Sequence, residues 1–166
     1  MTVRPAEPRD APWVLDVLTA SWGGPLVERL GVLVDARDAA AFVAEADEVP
    51  LGLGTCLVRP NEVEILTLDS RSEGRGVGSL LLERVASWAA ELGVRRVMLL
   101  TTNDNLDALR FYQRRGFRLA AVHRDSMIEA RKIKPTIPEI GRHGIPLTDE
   151  LELELALPSR RRENAG

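Results

Sequence analysis

The chain has 166 residues, of which 45% are hydrophobic and 28% charged, and 22 Lys and Arg against 25 Asp and Glu give a net charge of -3. This length predicts one domain with a buried core, and the acidic balance argues against a nucleic-acid-binding surface. The single cysteine, Cys56, excludes an internal disulfide and a Cys-rich zinc site, and we expect it to be a core thiol.

The sequence predicts neither a signal peptide nor a membrane span. Charged residues between Arg4 and Asp10 interrupt the N-terminal stretch, and no apolar run approaches the ~18 residues that a membrane helix needs. We therefore expect a cytoplasmic protein with no membrane partner. A single domain is expected over 1–158, followed by a frayed tail over 159–166.

The first half of the chain predicts a helix followed by antiparallel strands. A short strand over 2–4 precedes a helix over 10–21, which ends at a Gly-Gly-Pro turn. Residues 26–35 suit a short helix, an extended segment or both. Three strands joined by short turns follow, at 41–46, 51–58 and 62–68. Connections of this length predict an antiparallel meander.

The second half alternates helices and strands. Apolar residues recur at intervals of three and four from residue 78, and Gly93 is placed to end this helix. The next elements are a strand, a helix, a strand, a helix and a last strand, at 97–101, 106–115, 117–123, 126–134 and 151–157. Such alternation implies a parallel crossover, so we expect a mixed α/β (α+β) fold.

The connection over 126–148 is longer than a hairpin needs and carries several Pro and Gly residues. Long irregular loops of this kind are often lids or binding loops. We expect it either to border a substrate site or to serve packing alone. In the last strand Leu and Glu alternate, which predicts one face in contact with solvent.

The most informative motif is the turn between the strand over 62–68 and the helix that follows. Gly74, Gly76 and Gly78 leave backbone N–H groups open at a helix N-terminus, a ready site for a phosphate or pyrophosphate. A Walker loop would need a Lys after its last glycine, but Ser79 follows directly. A dinucleotide fingerprint would need Gly or Ala where Ser79 stands.

A second motif reads Asn105-x-x-Ala108-x-x-Phe111-Tyr112-x-x-x-Gly116-Phe117. Its spacing of three and four places Ala108 and both aromatic residues on one helix face. Asn105 is placed to cap the start of this helix, and Gly116 to end it. An inward tyrosine at this point can offer a proton or act only as a core aromatic.

Together the two motifs resemble those of the GNAT superfamily of acyl-CoA-dependent N-acetyltransferases, over about residues 40–123. The resemblance implies a mostly antiparallel sheet of about six or seven strands, flanked by about four helices. It also implies a splay between the fourth and fifth strands, here 62–68 and 97–101. The implied co-substrate is acetyl-CoA, with no metal and no nucleic acid. The acceptor would be an amine of a small molecule or peptide, and the protein a monomer or homodimer.

The resemblance also implies which residues bind acetyl-CoA. Backbone groups of Leu66, Thr67 and Leu68 would pair with the pantetheine arm, as an added strand pairs with an open edge. Asn105 would hydrogen-bond near the pantetheine, and Tyr112 would face the thioester sulfur. The pyrophosphate would lie in the glycine-rich loop, against Glu73, Gly74, Arg75, Gly76, Val77, Gly78 and Ser79.

One position departs from the family pattern. Glu73 stands where the family usually has Gln or Arg, and a carboxylate is unfavourable beside a pyrophosphate. Arg71 and Arg75 are near enough in sequence to pair with it. The departure keeps a second interpretation open, a non-catalytic CoA-binding regulatory or interaction protein of the same fold.

The implied reaction is direct attack of an amine on the acetyl thioester. An alkylammonium has a pKa above about 10, so it must lose a proton before it attacks. Strand alternation places Glu62 and Glu64 on one face with Leu66 and Leu68. Either glutamate is a candidate base, and Glu64 is favoured because it lies deeper toward the split.

Tyr112 would protonate the departing thiolate or hydrogen-bond to it. The acceptor site is less well indicated by the sequence. Trp22, beside two glycines, can wall a pocket or pack in the core, and His123 is a secondary candidate at a strand end.

Overall fold

The structure, a computed structural model, describes residues 1–72 and 74–158. Its elements in chain order are β1 (Thr2–Pro5), α1 (Ala11–Trp22), β2 (Leu26–Arg29), β3 (Val32–Asp35), β4 (Ala40–Ala46), β5 (Val49–Arg59), β6 (Glu62–Ser70), α2 (Val77–Leu92), β7 (Arg96–Thr102), α3 (Leu106–Gln113), β8 (Arg118–His123), α4 (Ser126–Ile133) and β9 (Glu150–Ala156). Within these residues no helix has both the length and the apolar character needed to cross a bilayer. The expected tail over 159–166 lies outside the described residues.

Seven strands form one sheet in the order β1-β4-β5-β6-β7-β9-β8. β4, β5 and β6 are the predicted antiparallel meander, and β6 and β7 are parallel, as the crossover through α2 requires. β9 inserts between β7 and β8 and is antiparallel to both. The mixed fold with a largely antiparallel sheet is confirmed.

Residues 26–35 form a separate β-hairpin, in which β2 and β3 pair from Leu26 with Asp35 to Arg29 with Val32. The two residues at its tip, Leu30 and Gly31, have φ values of 46° and 86°. Two positive φ values suit the tight two-residue turn that matches strand twist. Leu-Gly lacks the usual Asn-Gly signal, which is why the sequence left the segment ambiguous.

Apolar clusters cover the two faces of the sheet. On one face α2 and α3 pack over β4–β7, with Val63 and Ile65 at the centre of what we call the α2 cluster. On the other, α1 and the hairpin pack over Leu53 and Leu66 in the α1 cluster. Cys56 is a buried core thiol in the α2 cluster, as predicted, and burial raises its pKa to about 12.

Candidate active site

The parallel strands β6 and β7 pair over only part of their length. The register joins 62–65 of β6 to 96–99 of β7, whereas β6 continues to Ser70 and β7 to Thr102. Beyond these pairs the two strands separate and leave a split in the sheet. The predicted splay is therefore present, and it begins after Ile65.

A bulge in β6 lies where the strands separate. Two neighbouring residues of β5 pair with Thr67 and Ile65, which leaves Leu66 as an extra residue. Bulges bend a strand and increase its twist. Leu66 packs in the α1 cluster but Leu68 packs against the α2 cluster. The expectation that Leu66 and Leu68 share a face is therefore wrong, because uniform alternation does not survive a bulge.

The edge of β6 that faces the split consists of residues 66–70. Among the described residues, no strand pairs with this edge beyond Ile65. Leu66, Thr67 and Leu68, the residues predicted to pair with a pantetheine arm, all lie on it. An open edge of this kind can accept an extended chain as an added strand.

The glycine-rich turn leads from this edge into α2. Gly74 and Gly76 have φ values of 74° and 78°, and the space that a Cβ would occupy at each is open. Gly76 is the N-cap of α2, and no side chain of the described residues caps the helix. The first-turn N–H groups of Val77, Gly78 and Ser79 are therefore free to bind an anion.

The other two residues of this predicted loop are charged. Arg75 is exposed at the turn. Glu73 lies outside the described residues, so its predicted place beside the pyrophosphate stays a prediction.

The start of α2 lies against α3. A Cβ on Gly78 would lie 3.1 Å from Cζ of Phe111, a tight contact that would require the ring to move by a few tenths of an ångström. Arg115 stacks over the Phe111 ring at 3.7 Å and donates from Nε and Nη2 to Ser79 Oγ at 3.0 and 2.7 Å. This guanidinium at the N-terminal turn of α2 was missed from sequence, because no motif marks it.

Tyr112 projects from α3 into the α2 cluster. It is 8% exposed, and its ring packs edge-on against Phe111 and Phe117. Burial, with the negative charge of Asp69 as a smaller cause, raises the pKa of its hydroxyl above the usual value. The phenol therefore keeps its proton at neutral pH and is a donor.

Three consecutive polar residues fix the late loop to the end of β7. Asn103 bonds backbone groups of residues 146–149 at 2.9–3.1 Å, and Asp104 accepts from the Arg142 backbone N–H at 2.7 Å. Asn105 Oδ1 accepts from the backbone of α3 at 3.2 Å, which is the predicted cap, and from Arg142 Nη1 at 2.8 Å. The loop thereby closes over the end of the strand beside the split.

Both glutamates predicted as bases lie in ion pairs. Glu62 Oε2 is 2.6 Å from Nη2 of Arg96, beside the paired end of β6 and β7. Glu64 is 1% exposed and binds Arg29 of β2 through one oxygen and Arg59 through the other, the latter at 3.1 Å. Glu64 thus ties the hairpin to the sheet, and both of its oxygens are occupied.

A buried carboxylate with a free oxygen lies nearby. Glu150 begins β9, is 6% exposed, and its Oε2 makes no hydrogen bond to any described residue. Burial, with the negative charge of Glu28, raises its pKa to about 7 against the opposing effects of Ser126, His123 and Arg29. The sequence placed the glutamates of this strand on a solvent face, and alternation alone does not distinguish the buried one.

On the α1 side, the split is bordered by α1, the hairpin and α4. Trp22 Nε1 donates to Asp69 Oδ2 of β6 at 2.9 Å. Lys134, just after α4, donates from Nζ to the backbone oxygens of Trp22 and Leu26 at 3.0 and 3.1 Å. α4 is thereby held beside the hairpin. His123 Nε2 lies 3.0 Å from Glu152 Oε2 rather than free in this space.

Comparisons with known proteins agree with this geometry. A model of the acetyltransferase (GNAT) family matches residues 11–117. The uncharacterised protein YdhI of Bacillus subtilis (strain 168) is 38% identical over 138 residues, which cover 82% of this chain and 86% of that protein.

Two solved structures share the fold. An IAA acetyltransferase from Bacillus cereus has a TM-score of 0.72 at 22% identity, covering 94% of this chain and 99% of its own. A Bacillus subtilis acetyltransferase in complex with CoA has a TM-score of 0.69 at 21% identity, and the match covers 95% of this chain and 99% of that one. Across residues 1–72 and 74–158 of this chain, no cluster of His, Cys, Asp and Glu is arranged to hold a metal ion.

Proposed function

This chain belongs to the GNAT acetyltransferase family, and we propose that it transfers the acetyl group of acetyl-CoA to a primary amine of a small molecule or peptide. The observation that carries the proposal is the split between β6 and β7, with the uncapped start of α2 beside it. A protonated Tyr112 lies on the same face of the sheet as α2.

The residues around the split fit acetyl-CoA. The open edge at Leu66–Leu68 suits the amide groups of pantetheine, and the N–H groups of residues 77–79 suit a pyrophosphate. Arg115 adds a positive charge at this turn, and Arg75 is a second candidate. Asn105 uses its oxygen within the protein, which leaves its amide nitrogen as a donor to the pantetheine. Acetyl-CoA supplies the activated acetyl group.

Tyr112 is the donor to the leaving thiolate of CoA. Its raised pKa keeps the hydroxyl protonated, and its position in the α2 cluster is on the side where the CoA moiety would lie. As the C–S bond breaks, the hydroxyl donates a hydrogen bond or a proton to the sulfur. This step does not need a metal or a covalent intermediate on the protein.

The amine acceptor occupies the opposite side. The hairpin and α4 lie on the α1 side of the split, where Lys134 joins them, and Glu28 and Glu150 are acidic groups there. An alkylammonium is the form of an amine that such carboxylates attract. We therefore assign acceptor binding to this side.

The test is amine-dependent release of the CoA thiol, measured with a panel of small amines and peptide N-termini. Tyr112→Phe is expected to lower turnover while leaving the dissociation constant of acetyl-CoA unchanged. Acetyl-CoA binding without thiol release for any amine would instead support the non-catalytic CoA-binding protein.

A further inference from the structure

Tyr112, which is assigned to the leaving thiol, and Glu150 lie on opposite faces of the sheet. Tyr112 and the start of α2 belong to the face covered by α2 and α3. On β9, Leu151, Leu153 and Leu155 pack against that same cluster. Alternation therefore turns Glu150 to the opposite face, toward the hairpin and α4. The leaving thiol and Glu150 lie on opposite sides of the sheet.

Glu150 also lies at the right depth. It pairs with Thr102, three residues beyond Leu99, the last residue of β7 that pairs with β6. At ~3.3 Å per residue Thr102 lies about 10 Å into the open part of the split, and Glu150 lies at the same depth on the neighbouring strand. On β6, where the bulge adds Leu66, this depth corresponds to Leu68 and Asp69, on the edge that faces the split.

Four other carboxyl groups near the split are already bound, and of these Asp69 of β6 accepts from Trp22 Nε1. Glu62 is paired with Arg96, and Glu64 with two arginines. Glu152 is bound to Arg96 and His123. Oε2 of Glu150 is the buried carboxylate oxygen without a hydrogen-bond partner among the described residues.

We propose that Glu150 is the general base that takes a proton from the ammonium group of the acceptor, on the face of the split opposite Tyr112. The inference rests on the proposed acetyl transfer. The neutral amine then attacks the acetyl carbonyl, so the N–C bond forms and the C–S bond breaks. Of the two protons that the ammonium loses, one passes to Glu150 and then to water, and the other ends on the CoA sulfur.

The groups that face Glu150 suit this role. Glu28 of the hairpin repels its negative charge, whereas Arg29, His123 and the Ser126 hydroxyl of α4 stabilise it. Burial is the largest effect, and together with Glu28 it raises the pKa of the carboxyl to about 7, where a base both accepts and releases a proton efficiently. We expect kcat/KM to rise through about pH 7 in the wild type.

The test compares two amines of nearly the same shape, ethylamine and methoxyamine, as acceptors in the thiol-release assay. Ethylamine is protonated at neutral pH, but methoxyamine is not and needs no base to expose its lone pair. Glu150→Gln is expected to lower the rate with ethylamine about a hundredfold. The rate with methoxyamine should change much less, and acetyl-CoA affinity should be unchanged.

Glu154→Gln is the matched control, since Glu154 lies on the same face of β9 but binds Arg96 at the surface. It should leave both rates unchanged. If Glu150→Gln lowers the rate equally with both amines, or with neither, then Glu150 is not the base. That result would leave the proposed acetyl transfer standing. Absence of transfer by the wild type to either amine and to the wider panel would overturn the proposed function itself.

Discussion

Replacing Glu150 with Gln should stabilise the folded protein at alkaline pH. The carboxyl is buried with one oxygen unbound, and its pKa is raised from 4.5 to about 7. A group that ionises less readily in the folded state opposes folding once it is charged. Gln has nearly the same shape and carries no charge, so the variant lacks this penalty.

The magnitude follows from the two pKa values. Below pH 4.5 the carboxyl is protonated in both states and costs nothing. Between pH 4.5 and about 7 the unfolded chain ionises first, so the wild type loses stability as pH rises, and above about 7 the loss is constant. At ~1.4 kcal/mol per pKa unit, the full difference is about 3 kcal/mol.

The assay is urea unfolding of wild type, Glu150→Gln and Glu154→Gln across this pH range. The free energy of unfolding of Glu150→Gln should match that of the wild type near pH 4.5 and exceed it by up to about 3 kcal/mol at pH 8. Glu154→Gln should show no such divergence. If Glu150→Gln is less stable than the wild type at every pH, then Glu150 is a bound structural residue and the reasoning is wrong.

Four further substitutions test other parts of the site. Tyr112→Phe should lower kcat at least about tenfold with acetyl-CoA affinity unchanged by calorimetry, and equal losses of both would indicate a packing role. Gly76→Ala should cost about 1 kcal/mol because its φ is positive, and should weaken acetyl-CoA binding more than Gly93→Ala, its counterpart at the other end of α2. Glu64→Gln should destabilise the chain by about 2 kcal/mol in urea, since it removes the buried carboxylate that pairs with the half-buried guanidinium groups of Arg29 and Arg59; unchanged stability would refute its anchoring role. Asn103→Ala should speed hydrogen exchange at the amides of Thr148 and Asp149, and unaltered protection would show that other contacts hold the loop.

The parts of the site predicted from sequence are those built by neighbours in the chain. The turn through Gly74 and Gly76 and the cap at Asn105 depend on backbone conformation over a few residues, which residue type largely determines. The meander also depends on short connections. Each of these features has the predicted form.

The remaining features depend on contacts between distant segments. β9 lies between β7 and β8, and Glu150 at its start is buried because the hairpin and α4 lie over that part of its face. The bulge at Leu66 arises from pairing with β5, and the ion pair of Glu64 needs Arg29 from the hairpin. Alternation within one strand cannot reveal which glutamate meets an arginine and which does not.

The most direct test of the account is thermal unfolding with acetyl-CoA, with ATP and NAD as controls. Acetyl-CoA at a hundred times its dissociation constant should add about 2.7 kcal/mol, which is roughly 5 to 10 °C for a chain of this size. Acetyl-CoA should give this shift, whereas ATP and NAD should not. No shift at millimolar acetyl-CoA would contradict this expectation and would point to Glu73 as the charge that disables the loop.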